Sequence, residues 1–174
     1  MNTRKLSVAV PVCVMAVLLM SCEPAGTLSG GGSRANDYLV ARQALETGNY
    51  TLAVQRYQRL VTQTGDAAGR LQLEYAHSLL RAGQFEDAID AATGIISGSS
   101  GSLAASARAV RGTARHQHAR DLMAQGQHGD IPRTLLLGAQ SDLAEFLRSH
   151  AQLDAAGAMA ARAQMIAADL RAAG

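Results

Sequence analysis

The chain has 174 residues, a length typical of one domain, and it contains two Phe, four Tyr and no Trp. So few aromatic residues beside abundant Ala and Leu favour helix over sheet, and the composition therefore predicts an all-α fold. Apart from Arg4 and Lys5, 14 basic residues balance 14 acidic ones, and this neutrality argues against a nucleic-acid partner.

The amino-terminal segment is interpreted as a signal peptide. Residues 1–5 include two basic side chains, and residues 6–20 form an apolar run of 15 residues that only Ser7 and Pro11 interrupt. A helix that spans a membrane needs about 20 apolar residues, so this run is short for a span. A basic start followed by a short apolar run predicts a secretory signal peptide, and an uncleaved membrane anchor is the alternative.

The sequence Leu-Met-Ser-Cys at positions 19–22 resembles the bacterial lipobox, in which a small residue precedes a cysteine that receives a lipid. The resemblance implies a lipoprotein signal peptide over residues 1–21 and a lipidated Cys22 that holds the mature protein on a membrane. The alternative is an ordinary signal peptide cleaved near Ser21. Lipoproteins of the inner membrane usually carry aspartate at the position of Glu23. The resemblance therefore implies that the protein lies in the bacterial cell envelope, on the periplasmic face of the outer membrane.

Residues 22–36 are rich in Gly and Ser, and this composition predicts a lipid-anchored tether that no hydrophobic core orders. A flexible coil of this length spans roughly 20 Å on average. The helical domain is therefore predicted to occupy residues 37–174 and to lie close to the membrane.

Two stretches of this domain, 48–60 and 83–95, repeat the same pattern. The matched pairs, each 35 positions apart, are Gly48 with Gly83, Tyr50 with Phe85, Ala53 with Ala88, Val54 with Ile89 and Leu60 with Ile95. In each stretch the glycine ends one helix, the aromatic residue fills the gap between two antiparallel helices, and the alanine lets the second helix lie close to the first. A fixed period of this size predicts stacked helical hairpins.

Over residues 35–101 this pattern resembles the tetratricopeptide repeat, a helix-turn-helix unit of about 34 residues. Ala41 and Ala76 match the small residue of the family's first helix. The resemblance implies antiparallel helix-turn-helix repeats in a right-handed superhelix, with two clear repeats, a degenerate third hairpin and a carboxy-terminal capping helix. A generic all-helical bundle is the alternative.

The four helices of the two clear repeats are predicted over residues 37–47, 49–63, 66–82 and 85–97. A capping side chain at Asn36 or Asp37 would begin the first of them.

The third hairpin is predicted to be longer than the other two. Position 118 is a histidine where the period requires a glycine, so the fifth helix continues from Ser102 to a turn over residues 126–130. The sixth helix follows from Asp130 to Ser149, with a proline in its first turn where no hydrogen bond is lost.

The last segment, 152–172, predicts one helix with a narrow apolar stripe. The stripe consists of Leu153, Ala156, Ala160, Ala163, Ala167 and Leu170. This helix is interpreted as the cap of the array. A dimerisation helix is the alternative, because Met159, Met165 and Ile166 broaden the apolar surface.

Arg108, Arg111 and Arg115 follow one another at steps of three and four on the fifth helix, and His118 continues the line. We interpret this strip as a solvated face opposite the apolar stripe of that helix. The alternative is a basic surface for an acidic partner or for lipid headgroups.

The sequence shows no constellation typical of an enzyme or of a metal site. Four histidines lie in the carboxy-terminal half, but His116 and His118 point about 200° apart on a helix and cannot share an ion as an i, i+4 pair can. No cofactor is expected, and the chain is predicted not to be an enzyme.

The resemblance also implies a concave groove formed by the first helix of each hairpin. The groove positions are Tyr38, Arg42, Leu45, Glu46, Arg70, Leu73, His77, Leu80 and Arg81. Among them Tyr38, Leu73 and Leu80 are expected to anchor a partner protein, and the arginines to orient it.

A small lipid-anchored repeat protein of this kind resembles the accessory factors that assist the assembly of a pilus or secretion machine. The resemblance therefore implies such an assembly function for this chain. The alternatives are a component or regulator of outer-membrane or peptidoglycan biogenesis and a structural homodimer.

Overall fold

The computed structural model describes residues 31–64 and 68–172, and within these ranges it contains seven α-helices, one short 3₁₀ helix and no strand. The helices are α1 (Gly31–Glu46), α2 (Tyr50–Thr64), α3 (Gly69–Arg81), α4 (Phe85–Gly98), α5 (Gly101–Ala124), α6 (Asp130–His150) and α7 (Ala158–Ala172). The predicted all-α fold is confirmed. The predicted signal peptide, Cys22 and the first half of the predicted tether lie outside the described residues.

Helices that follow one another in the chain pack against each other, and α5 also contacts α3 and α7. One cluster of buried side chains lies between α1 and α2 around Tyr57. Two clusters join α3, α4 and α5, and a fourth joins α5, α6 and α7 around Ile166. Each buried leucine or isoleucine contributes about 1.5–3 kcal/mol to folding, so these clusters hold the array together.

Three glycines form the turns of the hairpins, Gly48 and Gly83 at the predicted spacing and Gly126 within the turn predicted over residues 126–130. Gly48, Gly83 and Gly126 have φ angles of 82°, 75° and 80°, a region that other residues rarely adopt. At the second turn the amide of Gly83 donates to the carbonyl of Leu80, and the next amide donates to the carbonyl of Leu79. These two bonds satisfy carbonyls that the end of α3 leaves free. The turn at Gly126 confirms the longer third hairpin.

The small residues of the repeat lie at the closest approaches of the helices. Ala41, Ala53, Ala76 and Ala88 have no solvent-accessible surface. Helices with alanine at their contact approach closely, so the repeat pattern identified the packing positions of α1 to α4 correctly.

The first helix begins earlier than predicted. It starts at Gly31, so the last residues of the predicted tether belong to α1, and Asp37 lies inside the helix rather than at its cap. The reason is that the Asp37 carboxylate accepts a hydrogen bond from the Arg56 guanidinium of α2 at 2.7 Å. The side chain is thereby held across the hairpin and does not cap the helix. Asp66, the predicted start of the third helix, lies outside the described residues.

The carboxy-terminal segment is not one helix over 152–172. The Asp154 carboxylate accepts hydrogen bonds from the amides of Met159 and Ala160, both at 3.0 Å, and Gly157 has a φ of 68°. This capping begins α7 at Ala158, after a 3₁₀ turn over Ala151–Leu153. Leu153, the predicted first member of the stripe, is therefore exposed.

The inward face of α7 includes Ala163 and Leu170 of the predicted stripe, and it also contains Met159 and Ile166, which the stripe did not include. Ile166 is fully buried against α5 and α6, and Met159 packs against the same cluster. Of the three residues that favoured a dimerisation helix, only Met165 is exposed. The other two take part in the core of the chain itself.

No helix in the described ranges is both long enough and apolar enough to cross a membrane.

Candidate functional site

The predicted groove residues of α3 lie along two adjoining cavities on one side of the molecule. The larger cavity, of about 580 Å³, lies between α3 and α5. The smaller, of about 260 Å³, lies between α3, α5 and α7. His77 and Val110 line both of them. We call this continuous depression the α3–α5–α7 groove.

Side chains from all three helices form the walls of the groove. The larger cavity is lined by Arg70, Leu73, Glu74, His77, Ser102, Leu103, Ser106 and Val110. The smaller is lined by His77, Leu80, Arg81, Ala109, Val110, Thr113, Gln117, Met159 and Arg162. Five of the predicted groove residues are thus brought together, and α5 and α7 supply lining residues that the sequence interpretation did not assign.

The predicted groove residues of α1 are placed around Glu74 of α3, which the sequence interpretation missed. Tyr38 donates a hydrogen bond to this carboxylate at 3.3 Å and Tyr57 at 2.6 Å. Arg42 approaches it at 3.7 Å and also binds Glu46 at 2.9 Å. The i, i+4 spacing from Arg70 was the signal that could have revealed Glu74.

Because the Glu74 side chain is only 14% exposed, this cluster connects α1, α2 and α3 and offers little free bonding capacity. Burial, reinforced by the neighbouring carboxylate, raises the pKa of Tyr57, so its hydroxyl remains a donor.

Two of the predicted groove leucines belong to the core. Leu80 is 7% exposed and packs with Leu79, Ala88 and Ala114. Leu45 packs against the cluster between α1 and α2. Leu80 borders the smaller cavity only by its edge, so truncating it would weaken the fold as well as the groove.

The cationic side chains of α3 are placed at the groove with little intramolecular pairing. The Arg70 side chain is 83% exposed and reaches Glu74 at 3.5 Å. Arg81 lies over the ring of Tyr50, 5.0 Å from its centroid, and donates a hydrogen bond to its hydroxyl. Although His77 is solvent-exposed, desolvation by the groove walls and the Arg81 charge lower its pKa, which favours the neutral imidazole.

A buried polar network connects α7 to α5 at the end of the groove. His116 has no accessible surface, and its Nε2 lies 2.8 Å from the Asp169 carboxylate. Its Nδ1 lies 3.2 Å from the guanidinium of Arg162. An arginine can only donate, so Nδ1 accepts and the proton is on Nε2. Burial lowers the pKa of His116 despite Asp169, and the ring is held neutral.

Arg162 is the least compensated cation of this network. Its Nε is buried and has no hydrogen-bond partner among the described residues. Burial and the charge of Arg120 lower its pKa. The nearby Asp169 carboxylate is bound by His116 instead. A buried donor without an acceptor is uncommon in folded proteins and requires an explanation.

The basic strip predicted on the fifth helix is not a free surface. Arg111 and Arg115 both bind Asp142 of α6, at 2.6 and 2.7 Å, and Asp142 is 4% exposed. For these two arginines, therefore, both interpretations are wrong: they belong neither to a solvated face nor to a surface that binds an acidic partner or lipid headgroups. The long fifth helix has buried residues along much of its length, and Arg111 and Arg115 connect it to α6.

The histidines do not form a metal site within the part of the chain that the structure describes, where no group of three His, Cys, Asp or Glu side chains converges. His116 binds Asp169, and His118 packs against Phe85 with ring centroids 6.0 Å apart.

Comparisons of this chain with protein-family models, with curated proteins and with solved structures find no match.

Proposed function

We propose that this chain is a non-enzymatic protein-interaction scaffold whose α3–α5–α7 groove binds an extended segment of a partner protein. The observation that carries the proposal is the continuity of the groove across three helices. Its floor is apolar at Leu73, Leu103 and Val110, and Arg70 and Arg81 stand at its wall. Apolar anchors beside orienting charges are typical of peptide-binding surfaces.

The arrangement of the helices supports a superhelical, tetratricopeptide-like array as part of the proposal. Lining residues come from the first helix of the second and third hairpins and from the terminal α7. In repeat arrays the concave surface is formed by such repeated elements, and a terminal element covers the last open face. In this proposal α7 has both roles.

The proposed location is the bacterial cell envelope, with lipid on Cys22 and the helical domain close to the periplasmic face of the outer membrane. The sequence at positions 19–22 and the basic and apolar residues before it support this part of the proposal. A scaffold at that place would assist the assembly of an envelope machine such as a pilus or a secretion apparatus.

Site-specific photo-crosslinking in the intact, full-length protein tests the scaffold function. A photoreactive amino acid at Ser106, which lines the larger cavity, should capture a partner from the envelope, and Leu73→Ser in the same chain should reduce capture. The matched control carries the photoreactive group at Ala124, an exposed position on the same helix that lines neither cavity.

Equal capture at both positions would contradict the groove as the binding surface. If the captured protein were a second copy of this chain, the homodimer would replace the scaffold as the proposed function.

A further inference from the structure

We infer that the smaller cavity, between α3, α5 and α7, is a carboxylate site that receives an acidic side chain of the segment bound in the groove. This inference rests on the proposed function and assigns the chemistry of one position in it. The side chains that would bind the carboxylate are Arg162 and Arg81.

The charge of the cavity lining supports an anionic occupant. Arg81 and Arg162 line the cavity, His77 is held neutral beside them, and none of its lining residues is a carboxylate. Two arginines at one cavity, Arg162 and the Arg81 that also stacks on Tyr50, create a positive potential that attracts an anion. The apolar remainder of the lining, Val110 and Met159 in particular, excludes water and strengthens such a contact.

Arg162 supplies the more specific observation. Its guanidinium is fixed because one terminal nitrogen donates to His116, which is itself bound to Asp169. Its Nε is buried and unpartnered, although a guanidinium loses much hydration energy when it is buried. A carboxylate in the cavity would pair the charge of this guanidinium, for which the described residues supply no ion pair, and arginine binds carboxylates through parallel N–H groups.

The same network explains why no carboxylate of the described chain takes this place. Asp169 is connected to Arg162 through His116. Its Oδ2 accepts the His116 proton at 2.8 Å and lies 3.9 Å from Nε of Arg120. No ion pair of Arg162 is formed within the described residues. His116 therefore lies between Asp169 and Arg162 and bonds to both of them.

An acidic side chain fits the cavity better than a free carboxy terminus. Terminal carboxylates are commonly captured by backbone amides at helix starts and turns. The amides at the start of α7 that lie next to this cavity, those of Met159 and Ala160, are already bound by Asp154. Side-chain guanidinium groups are the donors that remain, and they recognise acidic side chains.

The test measures binding of three small probes to the full-length protein by NMR, through the backbone amide resonance of Met159, a lining residue of the cavity that is present in all the variants. The probes are N-acetylglutamate α-amide, which carries a side-chain carboxylate, N-acetylglutamine amide, which carries none, and N-acetylleucine, which carries a terminal carboxylate. We expect the glutamate probe to shift this resonance and to bind at least about tenfold more tightly than the glutamine probe, with N-acetylleucine weaker than glutamate.

Arg162→Gln should remove the preference for the glutamate probe. The matched control is Arg120→Gln, which removes the same charge beside Asp169 but from a side chain that is 59% exposed and does not line the cavity. Arg81→Gln, a change at an exposed side chain, should reduce the preference for the glutamate probe several-fold. If Arg162→Gln fails to fold, this second variant tests the carboxylate site.

Equal binding of the glutamate and glutamine probes, or a preference that survives both Arg162→Gln and Arg81→Gln, would overturn the carboxylate site. Tighter binding of N-acetylleucine would overturn the assignment to a side chain and favour a terminal carboxylate. Either result leaves capture at Ser106 unaffected, so failure of this inference is distinguishable from failure of the scaffold function.

Discussion

The helices before and after Gly98 are stabilised in different ways. From α1 to α4, matched alanines meet at the helix contacts. One buried carboxylate, Asp37, pairs with Arg56 there, and the ion pairs around Glu74 involve arginines with substantial exposure. From α5 to α7, charged and polar groups lie inside the contacts themselves. Asp142 holds two arginines between α5 and α6, and His116 connects α5 to α7.

This difference explains why one half follows a repeat and the other does not. Close packing through small side chains leaves a periodic pattern in the sequence. Buried charges are stable only where their partners are placed on a neighbouring helix, and that relation is not periodic. The third hairpin therefore keeps the turn glycine but loses the spacing.

The largest expected effect is that of removing the charge of Asp142. Asp142→Asn leaves Arg111 and Arg115 without their counter-ion, with side chains only 16% and 25% exposed. Breaking a buried pair in this way costs about 3–5 kcal/mol of unfolding free energy. Urea unfolding followed by circular dichroism measures the change.

The matched variant in the first half is Glu74→Gln. It also removes the charge of a carboxylate, here one that contacts four side chains. Gln retains an acceptor for Tyr57, and the Arg70 and Arg42 contacts are long and solvent-exposed. The expected cost is about 1 kcal/mol. Equal losses in the two variants would show that the two halves do not differ in their dependence on buried charge.

An intermediate effect is expected from adding one methyl group to the contact between α5 and α6. A Cβ at Gly112 would lie 3.0 Å from the Leu143 side chain and 3.1 Å from Cβ of Asp142, so these neighbours would have to move by a few tenths of an ångström. Overpacking costs about 1–3 kcal/mol, more than the gain of about 1 kcal/mol in helix propensity. We expect Gly112→Ala to lower the melting temperature.

Gly94→Ala provides the control in the first half. A Cβ at Gly94 meets no atom within 4 Å, and the residue lies inside α4. This substitution should raise stability by up to about 1 kcal/mol. If both substitutions changed stability in the same direction, the close approach at Gly112 would not limit the packing of α5.

The sequence predicted the class of fold, the three turn glycines and the small contact residues, because each of these depends on local geometry that glycine or alanine alone provides. It did not predict the start of α1 or of α7. Asp154 caps α7 and sets its start, whereas Asp37, a predicted cap, lies inside α1 and bonds to Arg56 of another helix. A cap and a cross-helix partner look the same in a sequence.

The candidate site was predictable where it follows α3 and not where it depends on α7. Arg70, Leu73, His77 and Arg81 line the same groove because they share a face of a single helix. Arg162 reaches that surface only because His116, 46 positions earlier in the chain, accepts its hydrogen bond. Spacing within one helix gives no information about such a contact.

The smallest expected effect concerns the pH dependence of stability, and it distinguishes a structural histidine from surface histidines. Burial lowers the pKa of His116 below its ordinary value, so the unfolded chain binds a proton more readily than the folded chain. The stability contributed by the neutral ring is therefore fully present above about pH 6.5 and is lost as the pH falls through the lowered pKa. Urea unfolding between pH 5 and pH 7.5 should show stability rising with pH.

In His116→Gln, an amide replaces the ring and can still donate to Asp169, but it does not titrate in this range. The rise of stability with pH should become shallower, although His77, whose pKa is also lowered, retains part of it. In His128→Gln, a change at an exposed residue, stability should rise with pH as steeply as in the unsubstituted protein. A slope unchanged by His116→Gln would mean that the contact between α5 and α7 accommodates a charged imidazole, and the second half would then depend less on buried polar groups than its geometry indicates.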